Sequence, residues 1–473
     1  MSETVLIEVE PAGQGDGQPA RLKGDLTEGP ILRTLLAFSI PTLIANVLQT
    51  LNGSINAVWV GRLLGESALA ATANANVIMF LLFAAVFGFG MATTVRVGQH
   101  FGARDIAAAR RTFGAGLGFC VLIAVGVGLA GAIWSPALLH AMATPAASLA
   151  EADAYLRVIF VTTPLVSASM MLSMGLRGAG DSRTPLYAMI LTVVLDVIFN
   201  PLLIRGIGPF PQLGIAGSAL STALANLAGV CLMVASLYWR DLPLRLRGAE
   251  LRWLFPGRAE TAYVVKKGLP MGAQMLLISS AQIVVVGLVN REGLDTTAAY
   301  GASVQLWNYL QMPAMAIASA VSAMVAQSVG AGKHGRVRQV TRTGILTTLA
   351  FTLTMAGLII VADRPLLALF LGGESRALPI AAHMQLICTW SFAISGIMMI
   401  LTGTMRAYGE VILPLVVMAI AFYPARLGFY YAFHPLMGAE ALWWSYPVSS
   451  AAAVGLTWLA YARGSWRRKA LGA

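Results

Sequence analysis

An all-α integral membrane protein of twelve transmembrane helices, arranged as two parallel repeats of six, is the fold this sequence predicts. Three observations predict it. The chain is 57% hydrophobic and 11% charged, with a mean hydropathy of +0.73, far from the composition of soluble globular domains. Its apolar stretches are long enough to cross about 30 Å of hydrocarbon as helix. Its landmarks also recur. Gln99-His100-Phe101-Gly102-Ala103 returns as Gln327-Ser328-Val329-Gly330-Ala331, 228 residues on. Arg177-Gly178-Ala179-Gly180-Asp181 with Pro185-Leu186 returns as Arg406-Ala407-Tyr408-Gly409-Glu410 with Pro414-Leu415, 229 residues on, and Pro41 pairs with Pro270 at the same offset. Internal repeats of this kind place function in a cavity between halves.

Taken in order, residues 1–28 read as a disordered tail, rich in Gly and acids (Glu3, Glu8, Glu10, Asp16) and lacking the basic start and short apolar core of a signal peptide. Spans one to six cover 33–60, 68–98, 112–134, 153–176, 184–206 and 214–239, giving an amino-terminal lobe over 29–239. A linker over 240–262 follows. Spans seven to twelve cover 263–290, 296–329, 342–362, 379–405, 411–433 and 439–462, giving a second lobe over 263–462 before a basic tail, 463–473. Because six is even, both copies enter the membrane in the same direction.

Orientation follows from the basic residues, since positive loops resist translocation. The two termini and the loops on their side of the membrane hold 25 of the 32 Lys and Arg, and the other side holds six. Both termini are therefore expected in the cytoplasm, and the location expected is a bacterial cytoplasmic (inner) membrane. The net charge of +11 has the same origin. Nucleic-acid binding is not expected, because no basic segment is interleaved with exposed aromatics.

Several chemistries are excluded by what the chain lacks. Gly330-Ala331-Gly332-Lys333-His334 imitates a P-loop but has neither its leading glycine nor the Ser/Thr after lysine. HExxH and GxSxG are missing, so an enzyme is not expected, and neither is a cofactor or a resident metal. The cysteines, Cys120, Cys231 and Cys388, all fall inside spans without a CxxC and read as packing residues. Uphill movement then requires an ion gradient and an ionisable group within the membrane.

Among 21 acids, Asp196 alone is flanked by apolar sequence on both sides, twelve residues into the fifth span. At 1.5 Å per residue that is about 18 Å from the cytoplasmic mouth. An ionised carboxyl there costs several kcal/mol, a cost relieved by taking up a proton. Asn200 lies one turn on, and Pro201 leaves the Val197 carbonyl without its helical donor. The alternative role for Asp196 is interhelical glue.

Span one carries Asn46, Gln49, Asn52 and Asn56 in steps of three, three and four, which aligns them on one helix face. Together with Asn74 in span two, Met170 and Met174 in span four, and Gln274, Gln282 and Asn308 in the second lobe, Asn46 and Asn52 are candidates for a substrate cavity with an adaptable lining.

These residues resemble the MATE (multidrug and toxic compound extrusion) transporters from Pro41 through span twelve. The resemblance rests on Val60-Gly61-Arg62-Leu63-Leu64-Gly65, on Gln99 with Gly102-Ala103, on Gly175-Leu176-Arg177-Gly178-Ala179-Gly180-Asp181, on Asn200-Pro201-Leu202-Leu203-Ile204 and on Gly214-Ile215-Ala216-Gly217-Ser218-Ala219. It implies two six-helix bundles in a V, alternating access, and export of amphipathic, often cationic compounds against inward proton or sodium flow. It also implies an ion-coupling site at Gln49, Asn56, Asp196, Asn200 and Thr222. The chain departs from the family pattern at three places. Ile55-Asn56-Ala57 stands where an Asp is usual, Asp196 and Asn200 occur in the reverse of the common order, and the acids some members carry in spans seven and ten are missing.

With one buried carboxyl, proton coupling is expected ahead of sodium, which prefers several hard oxygen ligands; Na⁺ at Asp196 and Asn200 is the alternative. The rival to drug export is a flippase for lipid-linked precursors or polysaccharides in the same superfamily. Such a protein should present several basic residues in its cavity, whereas only Arg426 lies within a span. A channel or receptor would need neither matched halves nor a titratable carboxyl. Expected partners are the bilayer and small organic cations, with the protein acting as a monomer.

Overall fold

The computed structural model describes residues 24–141, 146–464 and 466–467, with the side chains at 66–78, 141, 146–148 and 151 outside that description. Helices α1 (Ile31–Leu64), α2 (Glu66–Gly102), α3 (Ile106–Ala141), α4 (Ala146–Gly178), α5 (Arg183–Arg205) and α6 (Gly214–Trp239) form the first lobe. The second comprises α7 (Arg258–Arg291), α8 (Leu294–Gly330), α9 (His334–Val361), α10 (Asp363–Leu371), α11 (Ala377–Ala407), α12 (Ile412–Ile420), α13 (Arg426–Met437) and α14 (Glu440–Arg463).

The predicted twelve spans map onto these helices, with three differences. Among the described residues, eleven helical stretches are long and apolar enough to cross a membrane. The twelfth, α14, has 24 residues, about 36 Å of helix, but its Trp, Tyr, Ser and Pro lower its hydropathy. Span eleven is α12 and α13 joined by a π-helical turn, Ala421–Ala425, that contains Pro424. Helix α10, nine residues between spans nine and ten, is too short for hydropathy to reveal.

The tails and linker also hold more structure than expected. Residues 1–23 of the predicted tail lie outside the described residues, but Leu26 and Thr27 are buried, and the Leu26 amide donates to Gln327 Oε1 at 2.9 Å. In the linker a 3₁₀ turn, Gly248–Leu254, packs on α3, and Arg110 reaches Glu250 at 3.1 Å. Past α14, Trp466 is buried against Tyr408 and Tyr461.

The second repeated motif is a helix-to-helix turn. Gly180 and Gly409 take φ of +86° and +83°, a region open to glycine without steric penalty. The next residue then caps the following helix. Asp181 accepts from the amides of Arg183 and Thr184, both at 3.0 Å, and from the Thr184 hydroxyl, while Glu410 accepts from the amide of Leu413 at 3.2 Å. A carboxylate there satisfies amides that have no partner within the helix and suits the positive helix end.

The lobes meet along α2, which packs on α7 and α8, and along α1, which packs on α8. Leu35 and Phe38 of α1 share a cluster with Ile317, Ala318 and Val321 of α8, and Ala92 packs with Met271 and Val411. The clusters in the outer halves are internal to one lobe, around Leu156 and Phe160 in the first and around Trp307 and Tyr446 in the second. The lobes are thus joined on the side that carries both termini, the arrangement of a V.

Candidate functional site

Asp196 is buried, at 1% exposure, where α1, α5 and α6 converge. Its Oδ2 accepts from Asn52 Nδ2 at 2.9 Å and its Oδ1 from the Ser221 hydroxyl at 2.7 Å. The Thr222 hydroxyl lies 3.2 Å from both carboxylate oxygens. No salt bridge reaches Asp196 among the described residues. A carboxylate ringed by neutral donors is stabilised in its ionised form by hydrogen bonds alone, with no fixed positive charge competing against an incoming cation.

A second tier supports the first. Asn56 donates to Thr222 Oγ1 at 3.2 Å, and its Oδ1 accepts from Ser218 at 3.0 Å and from Asn200. Asn200 is 1% exposed, and its own Oδ1 is buried without a partner. That orphan acceptor is costly in low dielectric.

Hydroxyls can donate or accept, so the hydrogen bonds at the carboxylate can rearrange without backbone movement. With Asp196 ionised, Thr222 donates to it. With Asp196 protonated, the carboxyl can donate to Thr222 Oγ1, whose hydrogen turns to the Ser218 carbonyl, 3.3 Å away.

Four of the five residues assigned to ion coupling, Asp196, Asn200, Asn56 and Thr222, lie in this constellation. Gln49 is exposed, and Asn52, predicted for the substrate cavity, takes the place at the carboxylate. Ser218 and Ser221 complete the set; their signal in the sequence was a hydroxyl-rich face opening span six.

The cavity candidates disperse. Asn46 and Met170 are half-buried and Asn308 is exposed, while Asn74 lies among the undescribed side chains. Met174 packs against Gly90 inside the first lobe. Gln274 is buried and donates to the Val411 carbonyl at 3.0 Å. Gln282 belongs to a polar and aromatic cluster in the second lobe: it donates to the Tyr300 hydroxyl, which meets Tyr446 Oη at 2.8 Å. Trp307 donates to Gln385 Oε1 at 2.9 Å in the same cluster.

The first repeated motif closes the seam between lobes. Gln99 at the end of α2 donates to the Ala407 carbonyl ending α11 at 2.8 Å. Reciprocally, Gln327 at the end of α8 donates to the Gly178 carbonyl ending α4 at 3.1 Å. Each lobe thus caps the other's fourth span, where terminal carbonyls lack helical partners. Gly102 faces the Gln327 backbone and Gly330 faces that of Gln99, so the glycines permit the approach that the glutamines lock.

Comparison with known proteins agrees with this architecture. The MatE family profile matches residues 41–202 and again 270–432, segments that begin 229 residues apart and end 230 apart. A Bacillus subtilis protein named probable multidrug resistance protein YoeA is 32% identical over 441 residues, covering 93% of this chain and 95% of that one. The FAD transporter of Shewanella oneidensis is 26% identical over 387 residues, covering 81% and 84%. Among solved structures, an outward-facing multidrug resistance MATE transporter of the MOP superfamily superposes with a TM-score of 0.85 at 20% identity, covering 94% of this chain and 98% of that one.

Proposed function

We propose, for a chain that belongs to the MatE family and is therefore a multi-pass membrane transporter and not an enzyme, that it is an antiporter exporting amphipathic, cationic small molecules against inward proton flow. Its relatives' names, probable multidrug resistance protein among them, support the cargo class. The observation that carries the coupling reading is the buried Asp196 carboxylate, held by Asn52, Ser221 and Thr222 with no basic side chain paired to it among the described residues. A proton is favoured over Na⁺ because the Asn56 amide oxygen already accepts two hydrogen bonds, leaving few hard ligands around a single negative charge.

Read with the basic side as cytoplasmic, the packed seam between the lobes lies on the inner side, which supports a conformation closed toward the cytoplasm. Asp196 then receives its proton from outside. Neutralising the carboxyl weakens its bond from Asn52 on α1, and α1 is also the helix whose inner half, at Leu35 and Phe38, holds the seam with α8. The proton is in this way linked to the gate through one helix. Loss of the proton to the cytoplasm restores the Asn52 bond and the closed seam. The protein works in a bacterial cytoplasmic membrane with both termini inside, as a monomer.

Efflux of a fluorescent organic cation in everted vesicles, with pH and sodium gradients imposed separately, tests this reading. A pH gradient alone should drive transport, and Asp196→Asn should abolish that response. Transport driven by sodium alone would overturn the proton assignment.

A further inference from the structure

Arg426 is the one basic residue placed well inside a span, and it is buried in the second lobe. Its interactions are few. Nε and Nη2 donate to Ser449 Oγ at 3.0 and 2.9 Å, and the guanidinium carbon stands 4.3 Å from the Tyr446 ring centre and 4.9 Å from that of Phe422. No carboxylate pairs with it among the described residues. Ser449 thus takes one edge of the planar group and aromatic rings cover its faces, while the Nη1 edge, which matches a carboxylate's two oxygens, stays unspent. A buried charge left in this condition is expensive unless something else completes it.

The repeat gives Arg426 a second meaning. Pro185 in α5 and Pro414 in α12 keep the offset of 229. The π turn Ala421–Ala425 follows Pro414, and such a turn is what one extra residue makes of a helix. Beyond it the offset becomes 230, and the residue that corresponds to Asp196 is Arg426. Both are held by hydroxyls of the next span, Ser221 and Thr222 on α6 and Ser449 on α14. The two lobes therefore carry opposite charges at equivalent places. Gln385 adds to the demand for an acceptor: it is fully buried, and its Nε2 has no partner.

We infer that the second lobe contains an anion-binding site centred on Arg426 that takes the carboxylate of a zwitterionic organic substrate, one that carries this group beside the cationic group of the proposed cargo. The inference deepens the transport reading and rests on it for the word substrate. The site itself is a matter of binding, which needs no gradient and no Asp196.

The test is calorimetric titration of the purified full chain, in micelles of an uncharged detergent, with 2-naphthoate and with its uncharged amide. The naphthoate should bind at least tenfold more tightly than the amide, Arg426→Gln should erase that preference, and Asp196→Asn should keep it. Equal binding of acid and amide by the parent protein, or a preference that survives Arg426→Gln, overturns the site. Should Arg426→Gln fail to purify, Arg426→Lys decides. Lysine keeps the charge but not the fork, so a preference cut severalfold supports the site and an unchanged one overturns it. Addition of phosphatidylglycerol should leave naphthoate affinity unchanged; competition by that lipid would assign the arginine to a headgroup and overturn the substrate role. Loss of coupling in Asp196→Asn with naphthoate binding intact separates failure of this inference from failure of the antiport reading.

Discussion

A methyl group added at Gly102 should push the lobes apart on the side that carries the termini. On the present backbone it would stand 2.6 Å from the carbonyl carbon of Gln327 and 2.8 Å from its Cα. Carbon atoms rest at about 3.5–4 Å, so α2 and α8 must separate by about 1 Å. The obstructing atoms are backbone, so no rotamer change relieves the overlap. Overpacking of this kind costs about 1–3 kcal/mol, and the cost falls only on the closed seam, because separated lobes leave the methyl free. At 1.4 kcal/mol per tenfold, the equilibrium shifts toward the inward-open arrangement by about five- to 150-fold. Gly330→Ala should act alike, since its methyl would lie 2.6 Å from the Gln99 carbonyl carbon. The assay is electron–electron distance measurement between spin labels at Ala107 and Gln339, both exposed on opposite lobes, with the exposed Cys231 replaced by serine. A new population at longer distance is expected in Gly102→Ala. A distance distribution identical to that of the parent would refute the seam as the point where the lobes are held.

Three further outcomes follow from the same structure. Gln327→Ala removes the bonds to Gly178 and Leu26, each worth about 0.5–1.5 kcal/mol, and should free the tail before α1, read as faster proteolytic nicking near residue 26. Asp181→Ala removes the cap of α5 and should lower stability by about 1 kcal/mol, seen as an earlier thermal transition in detergent, with Asp181→Asn recovering part of it. Asn52→Ala deletes one donor to the Asp196 carboxylate, a hydrogen bond to a charged group worth about 1.5–3 kcal/mol, and should cut export driven by a pH gradient severalfold at equal protein levels; export at the parental rate would contradict the assigned role of Asn52.

Much of the fold was legible because hydropathy and duplication are long-range signals that survive local irregularity. The glutamine motifs marked the repeat, but their work could not be read from either copy alone: Gln99 and Gln327 each bond a carbonyl of the opposite lobe, a contact that exists only after docking. Asp196 was evident from its apolar surroundings. Gln49 and Asn52 share the helix face of Asn56, and choosing between them required the lateral position of α1 against α5, which periodicity does not contain. The π turn escaped notice because an inserted residue leaves the apolar run of span eleven intact, and with it escaped the equivalence of Arg426 to Asp196. Leu26 and Trp466 sit in short polar contexts, so burial of their side chains depends on surfaces supplied by distant helices.

The most direct test is substrate-driven proton movement in liposomes that contain the purified protein and a trapped pH-sensitive dye. An outward substrate gradient should drive protons inward in the parent protein and leave the dye unchanged in Asp196→Asn, although that variant should still exchange substrate across a membrane without a gradient. Proton movement of parental size in Asp196→Asn would contradict the claim that this carboxyl carries the coupling ion.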